Sequence, residues 1–399
     1  MFIIMALNNA QKYQAIQNIS KEDEIVSIKI HNEIYKYPFI WLRDNCRCED
    51  CFHVTAKSRI IDWRKFNLNV QPINFEETSN SIIITWDDNH KSEYTFEWLE
   101  FRSFLPRDRQ VYKDNFYKPK KIIWNWENFP EIFSKHDYNA VVNTYKGLHD
   151  WLLNLSIYGV ALIENVPDRE TATDDIIAKI GFTRKTHYGE KFIVQHVPNT
   201  VNVAYLNSNL QMHTDLPFYE YCAGVNMLHC LVQTVSQGGD NVLTDCHYVA
   251  KYLKENHPKE YHLLTNLEVE WSDIGVEKGT EFYKLHRCPV ISLDRHGEVE
   301  RISFSIPQRG SRILGEIEEV KPWYKAYALF LELAHKFGAK FKSKAGQILV
   351  FDNIRLLHCR NGYDDAQNNV RKIIGAYFDW DEVYSKLRCV KVKLQGIDC

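Results

Sequence analysis

A chain of 399 residues has room for two or three domains at about 150 residues each. Its 49 basic and 52 acidic side chains leave a net charge of −3, which offers no basic field for nucleic acid and no polybasic membrane patch. Hydrophobic residues make up 45% and aromatics 13%, too rich a composition for disorder, yet no apolar run approaches the eighteen or so residues of a membrane span. The apolar residues 1–7 have no basic residue ahead of them and no small-residue cleavage site, so they do not read as a signal peptide. Nor do they form the Arg-rich, Ser-rich segment of a mitochondrial presequence. A soluble, cytoplasmic protein is expected.

The first hundred residues read as β-rich. Residues 26–30 alternate, 34–37 follow an Asn-containing turn, and 82–86 form another short strand. The stretch 106–121, with Arg107-Asp108-Arg109-Gln110 and Lys118-Pro119-Lys120-Lys121, has the composition of a linker. Residues 138–155 carry apolar side chains at helical spacing that ends near Gly159, and 160–166 reads as a strand. Strand-like runs recur at 201–206, 225–234, 290–293, 298–305, 347–351 and 372–378, with helical patterns at 250–256 and 321–337. A late run of strands with helices set apart predicts a mainly β fold, an antiparallel sandwich or barrel braced by helices. There is no Gly-x-Gly-x-x-Gly after a first strand, no P-loop and no Gly-x-Ser-x-Gly elbow.

Three of the ten cysteines fall together in Cys46-Arg47-Cys48-Glu49-Asp50-Cys51. A tight cluster in a long chain reads as metal binding rather than as a disulfide framework, and the scattered seven read as small buried hydrophobes. Three thiolates on one loop converge readily on a tetrahedral zinc, which needs a fourth nitrogen or sulfur. His53 is the local candidate and His90 the distant one. A ligand from beyond a separate strand cross-links more of a small domain, which favours His90. A site closed by four ligands has no room for substrate, so a zinc here would be structural. The alternative is three free cysteines in a loop.

The second half carries the chemistry. His213-Thr214-Asp215 places an imidazole and a carboxylate two residues apart, on one face of an extended segment. Far downstream, the strand-like run 347–351 leads through Asp352-Asn353 and Arg355-Leu356-Leu357 to His358. Two imidazoles and one carboxylate make the facial triad of non-haem Fe(II) oxygenases, with coordination positions left open for cosubstrate and oxygen. Arg371 follows thirteen residues after His358, at the start of the next strand, where a guanidinium could grip a carboxylate with two prongs. His-x-Asp alone is weak, but the ordered set is far more specific. A zinc hydrolase would need a positioned general base, and no His-Glu-x-x-His supplies one.

These residues resemble the iron- and 2-oxoglutarate-dependent dioxygenases of the γ-butyrobetaine and trimethyllysine hydroxylase group. The likeness runs from about Trp41 to Cys389 and includes Leu42-Arg43-Asp44-Asn45, Leu228-His229-Cys230, Gly238-Gly239-Asp240, Asp273-Ile274-Gly275-Val276 and Ala376-Tyr377-Phe378-Asp379-Trp380-Asp381. The resemblance implies a double-stranded β-helix (jelly-roll) dioxygenase domain at 125–399, a linker at 107–124 and a small β-rich zinc domain at 1–106. It assigns Fe(II) to His213, Asp215 and His358, the distal carboxylate of 2-oxoglutarate to Arg371, and zinc to Cys46, Cys48, Cys51 and His90. It implies O2 as co-reactant, ascorbate as reductant and a homodimer. The substrate it implies is a small quaternary ammonium compound, held by its cation at Tyr188, Phe192 and Tyr205 and by its carboxylate near Asn202 and Ser305. Phe192 stands where the group has tryptophan, and Ser305 where it has asparagine. The γ-butyrobetaine branch, which forms carnitine, matches better than the trimethyllysine branch. Hydroxylation of another betaine, and a betaine-binding protein without activity, are the remaining alternatives.

Overall fold

The computed structural model describes residues 15–195, 207–277, 279–363 and 371–396. They divide into two compact units at Tyr117 and Lys118.

In the N-terminal unit, β1 (Ile16–Ser20), β2 (Ile25–Ile30) and β3 (Glu33–Pro38) form an antiparallel meander. Helix α1 (Phe39–Asp44) leads to a loop pinned by the two-residue strands β4 (Phe52–His53) and β5 (Ser58–Arg59). A second meander follows, β6 (Pro72–Glu77), β7 (Ser81–Trp86) and β8 (Lys91–Thr95), and Thr95 caps helix α2 (Phe96–Phe101). Alternate residues of both sheets, among them Ile28, Tyr37, Ile84 and Trp86, meet in one core, as a period of two requires. The stretch of linker-like composition begins with helix α3 (Pro106–Tyr112), which starts on a proline and buries none of its residues. A proline suits the first helical turn, and a helix without a buried face leaves no apolar stripe in the sequence.

The larger unit opens with α4 (Phe129–Ile132), β9 (Lys135–Asp137), α5 (Tyr138–Asn143), α6 (Tyr145–Tyr158), β10 (Val160–Glu164), α7 (Ala172–Ile180), β11 (Lys191–Val194) and β12 (Leu210–His213). The helix expected over 138–155 is two helices, because Thr144 is extended and its hydroxyl accepts from the Gly147 amide at 2.9 Å as the cap of α6. There follow β13 (Val225–Val232), β14 (Asn241–Asp245), α8 (Cys246–Asn256), α9 (Pro258–Asn266), β15 (Glu268–Glu277), β16 (Thr280–Cys288), β17 (Ile291–Leu293), β18 (Val299–Ile302) and β19 (Arg309–Leu314). The chain continues through α10 (Ile317–Phe337), β20 (Ala339–Phe341), β21 (Gln347–Asp352), β22 (Leu356–Arg360), β23 (Lys372–Phe378) and α11 (Trp380–Gln395).

Two sheets make the jelly roll: six strands in the order β11-β23-β13-β21-β10-β9, and four in the order β12-β22-β14-β20. Helices α6 and α11 back the larger sheet, where Trp151, Leu155, Val383 and Leu387 pack on Met227, Val350 and Phe378. Helices α8 and α10 back the smaller one, with Val249, Trp323 and Phe330 in one cluster with Met212 and Leu357. Central strand β13 pairs on both sides and is buried over most of its length, so it reads as a largely apolar run broken only by Asn226 and His229. The runs at 290–293 and 298–305 contribute β17 and β18, which pair with each other apart from the main sheets. The run 201–206 lies outside the described residues. No helix among the described residues is long and apolar enough to cross a membrane.

Candidate active site

Strands β12 and β22 pair so that His213 lies opposite His358 and Leu210 opposite Arg360. Four residues on β12, 210–213, span three on β22, 358–360, a bulge that re-aims the strand end. The chain then leaves the strand, and Asp215 turns back toward both histidines before Leu216 takes a left-handed φ of 58°. Asp215 Oδ1 is 3.2 Å from His213 Nε2 and 3.8 Å from His358 Nε2. One donor atom from each residue falls within 4.8 Å of the others.

The surroundings hold this arrangement. His213 Nδ1 donates to the Gln211 carbonyl at 2.7 Å, which leaves the Nε2 lone pair directed at the cluster. Asp215 Oδ2 accepts from Asn226 Nδ2 at 2.6 Å and from the Tyr377 hydroxyl at 3.0 Å. Asn353 clasps the same turn: its Oδ1 accepts from the Asp215 amide at 2.8 Å and its Nδ2 donates to the Asp215 carbonyl at 2.9 Å. Burial opposes ionisation of Asp215, but His358 and His213 outweigh it and hold the carboxyl down to about 2. Burial, then His213, pushes His358 down to about 3. A neutral His358, an ionised carboxylate and a second imidazole with its lone pair exposed are the donor set that Fe(II) takes, so the residues fit that metal.

Arg371, just ahead of β23, is buried in the wall of the same cavity. Among the described residues its Nε is buried without a hydrogen-bond partner. Burial, reinforced by Arg360, lowers its pKa to about 10. Arg360, two residues past His358, also lines the cavity; its Nη2 donates to the Ser208 carbonyl at 2.8 Å and its guanidinium lies 5.1 Å over the Tyr363 ring. A buried guanidinium with an unsatisfied N–H is costly unless an anion meets it.

Tyr188, Phe192 and Ser305 line the cavity as well. Phe192 on β11 pairs with Gly375 on β23, where an added Cβ would sit 2.1 Å from the ring. The missing side chain lets the Phe192 ring lie on the strand backbone and stack on Tyr377 at 4.9 Å, with 28° between planes. Asn202 and Tyr205 lie outside the described residues. The sequence alone suggests no role for Tyr377 or Asn226, and offers Arg360 only as a substitute for Arg371. A period of two counted from Arg371 finds one of them, since Arg371, Ile373 and Tyr377 all line the cavity.

In the N-terminal unit, His90 Nε2 sits 3.2 Å from Cys46 Sγ and 3.5 Å from both Cys48 Sγ and Cys51 Sγ. His53 is outside this group and its Nδ1 accepts from the Ala56 amide at 3.0 Å. Arg43 donates to Cys51 Sγ at 3.4 Å and to Asp88 Oδ2 at 3.1 Å, while Asp88 Oδ1 accepts from the His90 amide at 2.9 Å. Burial pushes the Cys46 and Cys51 thiols up, a cost that a bound cation reverses. Three sulfurs and one imidazole converging from a loop and a hairpin could hold a tetrahedral zinc.

Residues 129–377 match the family model described as Taurine catabolism dioxygenase TauD, TfdA family, and residues 17–100 match Gamma-butyrobetaine hydroxylase-like, N-terminal. The chain is 33% identical over 365 residues to the gamma-butyrobetaine dioxygenase of Homo sapiens, covering 90% of this chain and 92% of the relative. It is 29% identical to that of Pseudomonas sp. (strain AK-1), covering 87% and 88%. To the mitochondrial trimethyllysine dioxygenase of Bos taurus it is 25% identical, covering 92% and 86%.

Proposed function

Because the chain belongs to the TauD, TfdA dioxygenase family and is a 2-oxoglutarate-dependent dioxygenase, we propose that it hydroxylates a small trimethylammonium carboxylate, converting γ-butyrobetaine to carnitine. The observation that carries this reading is one cavity whose wall joins His213, Asp215 and His358 to the Arg371 guanidinium and to the Tyr188, Phe192 and Tyr377 rings.

Iron held by His213, Asp215 and His358 would supply the oxidising chemistry, in which O2 converts 2-oxoglutarate to succinate and carbon dioxide while the substrate gains a hydroxyl. The protein's own part is positioning. Arg371 offers its unsatisfied N–H to the distal carboxylate of the cosubstrate, a charge-assisted contact with fixed direction. The Gln211 carbonyl keeps the His213 proton on Nδ1, and Asn226 and Tyr377 occupy Asp215 Oδ2, so Oδ1 alone faces the metal position. A trimethylammonium group has no N–H to donate, so ring faces are its natural partners, at about 0.5–2 kcal/mol each. Ser305, buried in the wall, reaches the substrate carboxylate through a bridging water. Asn202 and Tyr205 belong to the same reading. Cys46, Cys48, Cys51 and His90 hold a structural zinc, ascorbate keeps the iron reduced, and the protein works as a homodimer.

A panel of quaternary ammonium acids scored by succinate formation under O2 tests the substrate. γ-Butyrobetaine should stimulate most, and a neutral tert-butyl isostere should bind worse because it keeps the shape and loses the charge. Stronger stimulation by trimethyllysine would move the protein to that neighbouring activity. No betaine-dependent succinate at all would end the reading.

A further inference from the structure

Tyr377 faces two ways. Its hydroxyl donates to Asp215 Oδ2 at 3.0 Å, and its ring stacks on Phe192 at 4.9 Å within the cavity wall. Asp215 Oδ2 takes a second donor, Asn226 Nδ2 at 2.6 Å, while Oδ1 turns toward His213 and His358. A carboxylate so engaged attaches to a metal through one oxygen, which keeps free a position that a two-oxygen grip would fill. Both contacts belong to a single stiff side chain with two rotatable bonds, so the ring cannot shift without moving the hydroxyl.

We propose that Tyr377 is a positioning residue that links occupancy of the aromatic face to the metal-binding carboxylate. A quaternary ammonium seated on Phe192 and Tyr377 restrains the ring, and the restrained ring holds Asp215 Oδ2. The metal then meets a carboxylate already ordered, and the ordering entropy is lost once for two ligands, which makes them cooperative without any change of fold. Linkage makes the effect reciprocal: the factor by which the betaine tightens Fe(II) is the factor by which Fe(II) tightens the betaine. The inference rests on the iron and betaine assignments above.

The test is an anaerobic Fe(II) titration of the full chain, with and without saturating γ-butyrobetaine, on wild type, Tyr377→Phe and Phe192→Leu. In wild type the betaine should tighten Fe(II) by about fivefold or more, the lower end of ordinary coupling. Tyr377→Phe keeps the ring and loses the hydroxyl. Its Fe(II) affinity should fall by about tenfold, as losing an outer partner of a metal ligand does, its betaine affinity without metal should fall by less than that, and the betaine effect on Fe(II) should vanish. Phe192→Leu keeps the hydroxyl bond and removes the stack, so Fe(II) affinity without betaine should hold while the betaine effect shrinks. Under O2, Tyr377→Phe should form more succinate than hydroxylated product, where wild type keeps them equal. Betaine-dependent tightening of Fe(II) in Tyr377→Phe equal to wild type overturns the coupling and leaves the iron assignment standing. A wild type that takes up no Fe(II) overturns both.

Discussion

Arg371 carries a full charge into a cavity wall and, among the described residues, leaves its Nε unsatisfied. Arg371→Ala should therefore raise the apparent 2-oxoglutarate requirement steeply while leaving that for the betaine within a few-fold. Truncating one member of a buried charge pair costs about 2–5 kcal/mol, or roughly 30-fold and upward, read from the cosubstrate dependence of succinate formation. Buried histidines set a second expectation. Burial lowers His229 to about 4, and burial with Lys121 lowers His247 to about 3, against an ordinary value of 6.5. Between about 6.5 and 4 the unfolded chain therefore binds protons that the native state refuses, so stability falls as pH drops through that window and is full above it. Urea unfolding at pH 7.5 and at pH 5 should show the loss, and His229→Gln should lessen it. The candidate donor residues could be picked out in the sequence because His213 and Asp215 are followed in order by His358 and Arg371, and because three cysteines crowd into six residues. Asn226 and the hydroxyl contact of Tyr377 could not, because both depend on strands of the larger sheet facing Asp215, which follows a strand of the smaller one.

Between elements, the Arg355–Asp245 pair ties the barrel to its helices. Arg355 Nε and Nη2 donate to Asp245 Oδ1 and Oδ2 at 3.0 and 2.7 Å, and its remaining contacts are the carbonyls of Ile157 and Ile122 at 3.0 and 2.6 Å. Asp245 also caps α8, accepting from the His247 amide at 3.0 Å. Arg355→Met strands a buried carboxylate and should cost about 3–5 kcal/mol in urea unfolding. The residue stood in the quoted motif as a neighbour of His358; its role as a tie across α6 and α8 needed the fold. Gly375→Ala should act differently, by lifting the Phe192 ring off its strand. Losing one face for the cation predicts a betaine requirement raised between about 2-fold and 30-fold. Bound iron should stay at the wild-type level, which metal analysis checks. Strands β15 and β16, paired over nine positions, escaped the sequence reading because much of their length is exposed or half-buried, which blurs alternation. Strand β13 was plain because it is buried over most of its length and so carries mostly apolar residues.

For the molecule as a whole, two compact units and the two separate donor clusters found among the described residues predict separable losses. Cys48→Ser should take zinc content toward zero and lower the unfolding transition of the N-terminal unit, while iron per chain, by elemental analysis, stays at the wild-type level. His53→Ala should leave zinc in place. Stripping zinc from that variant instead of from His90→Ala would mean the local ligand is the one used. The mainly β class and the jelly roll could be read from the late strand run together with the resemblance. Which runs pair could not, as β17 and β18 show by joining each other instead of the main sheets.

The pairing of His213 with His358 and of Leu210 with Arg360 also ties two parts of the cavity to a single strand register. A slip of one residue along β22 turns His358 and Arg360 outward together and brings Cys359 inward. A chain caught in that register lacks its second imidazole and a cavity arginine at once. One register thus serves both parts of the cavity: the pairing that presents the imidazole is the pairing that presents the arginine.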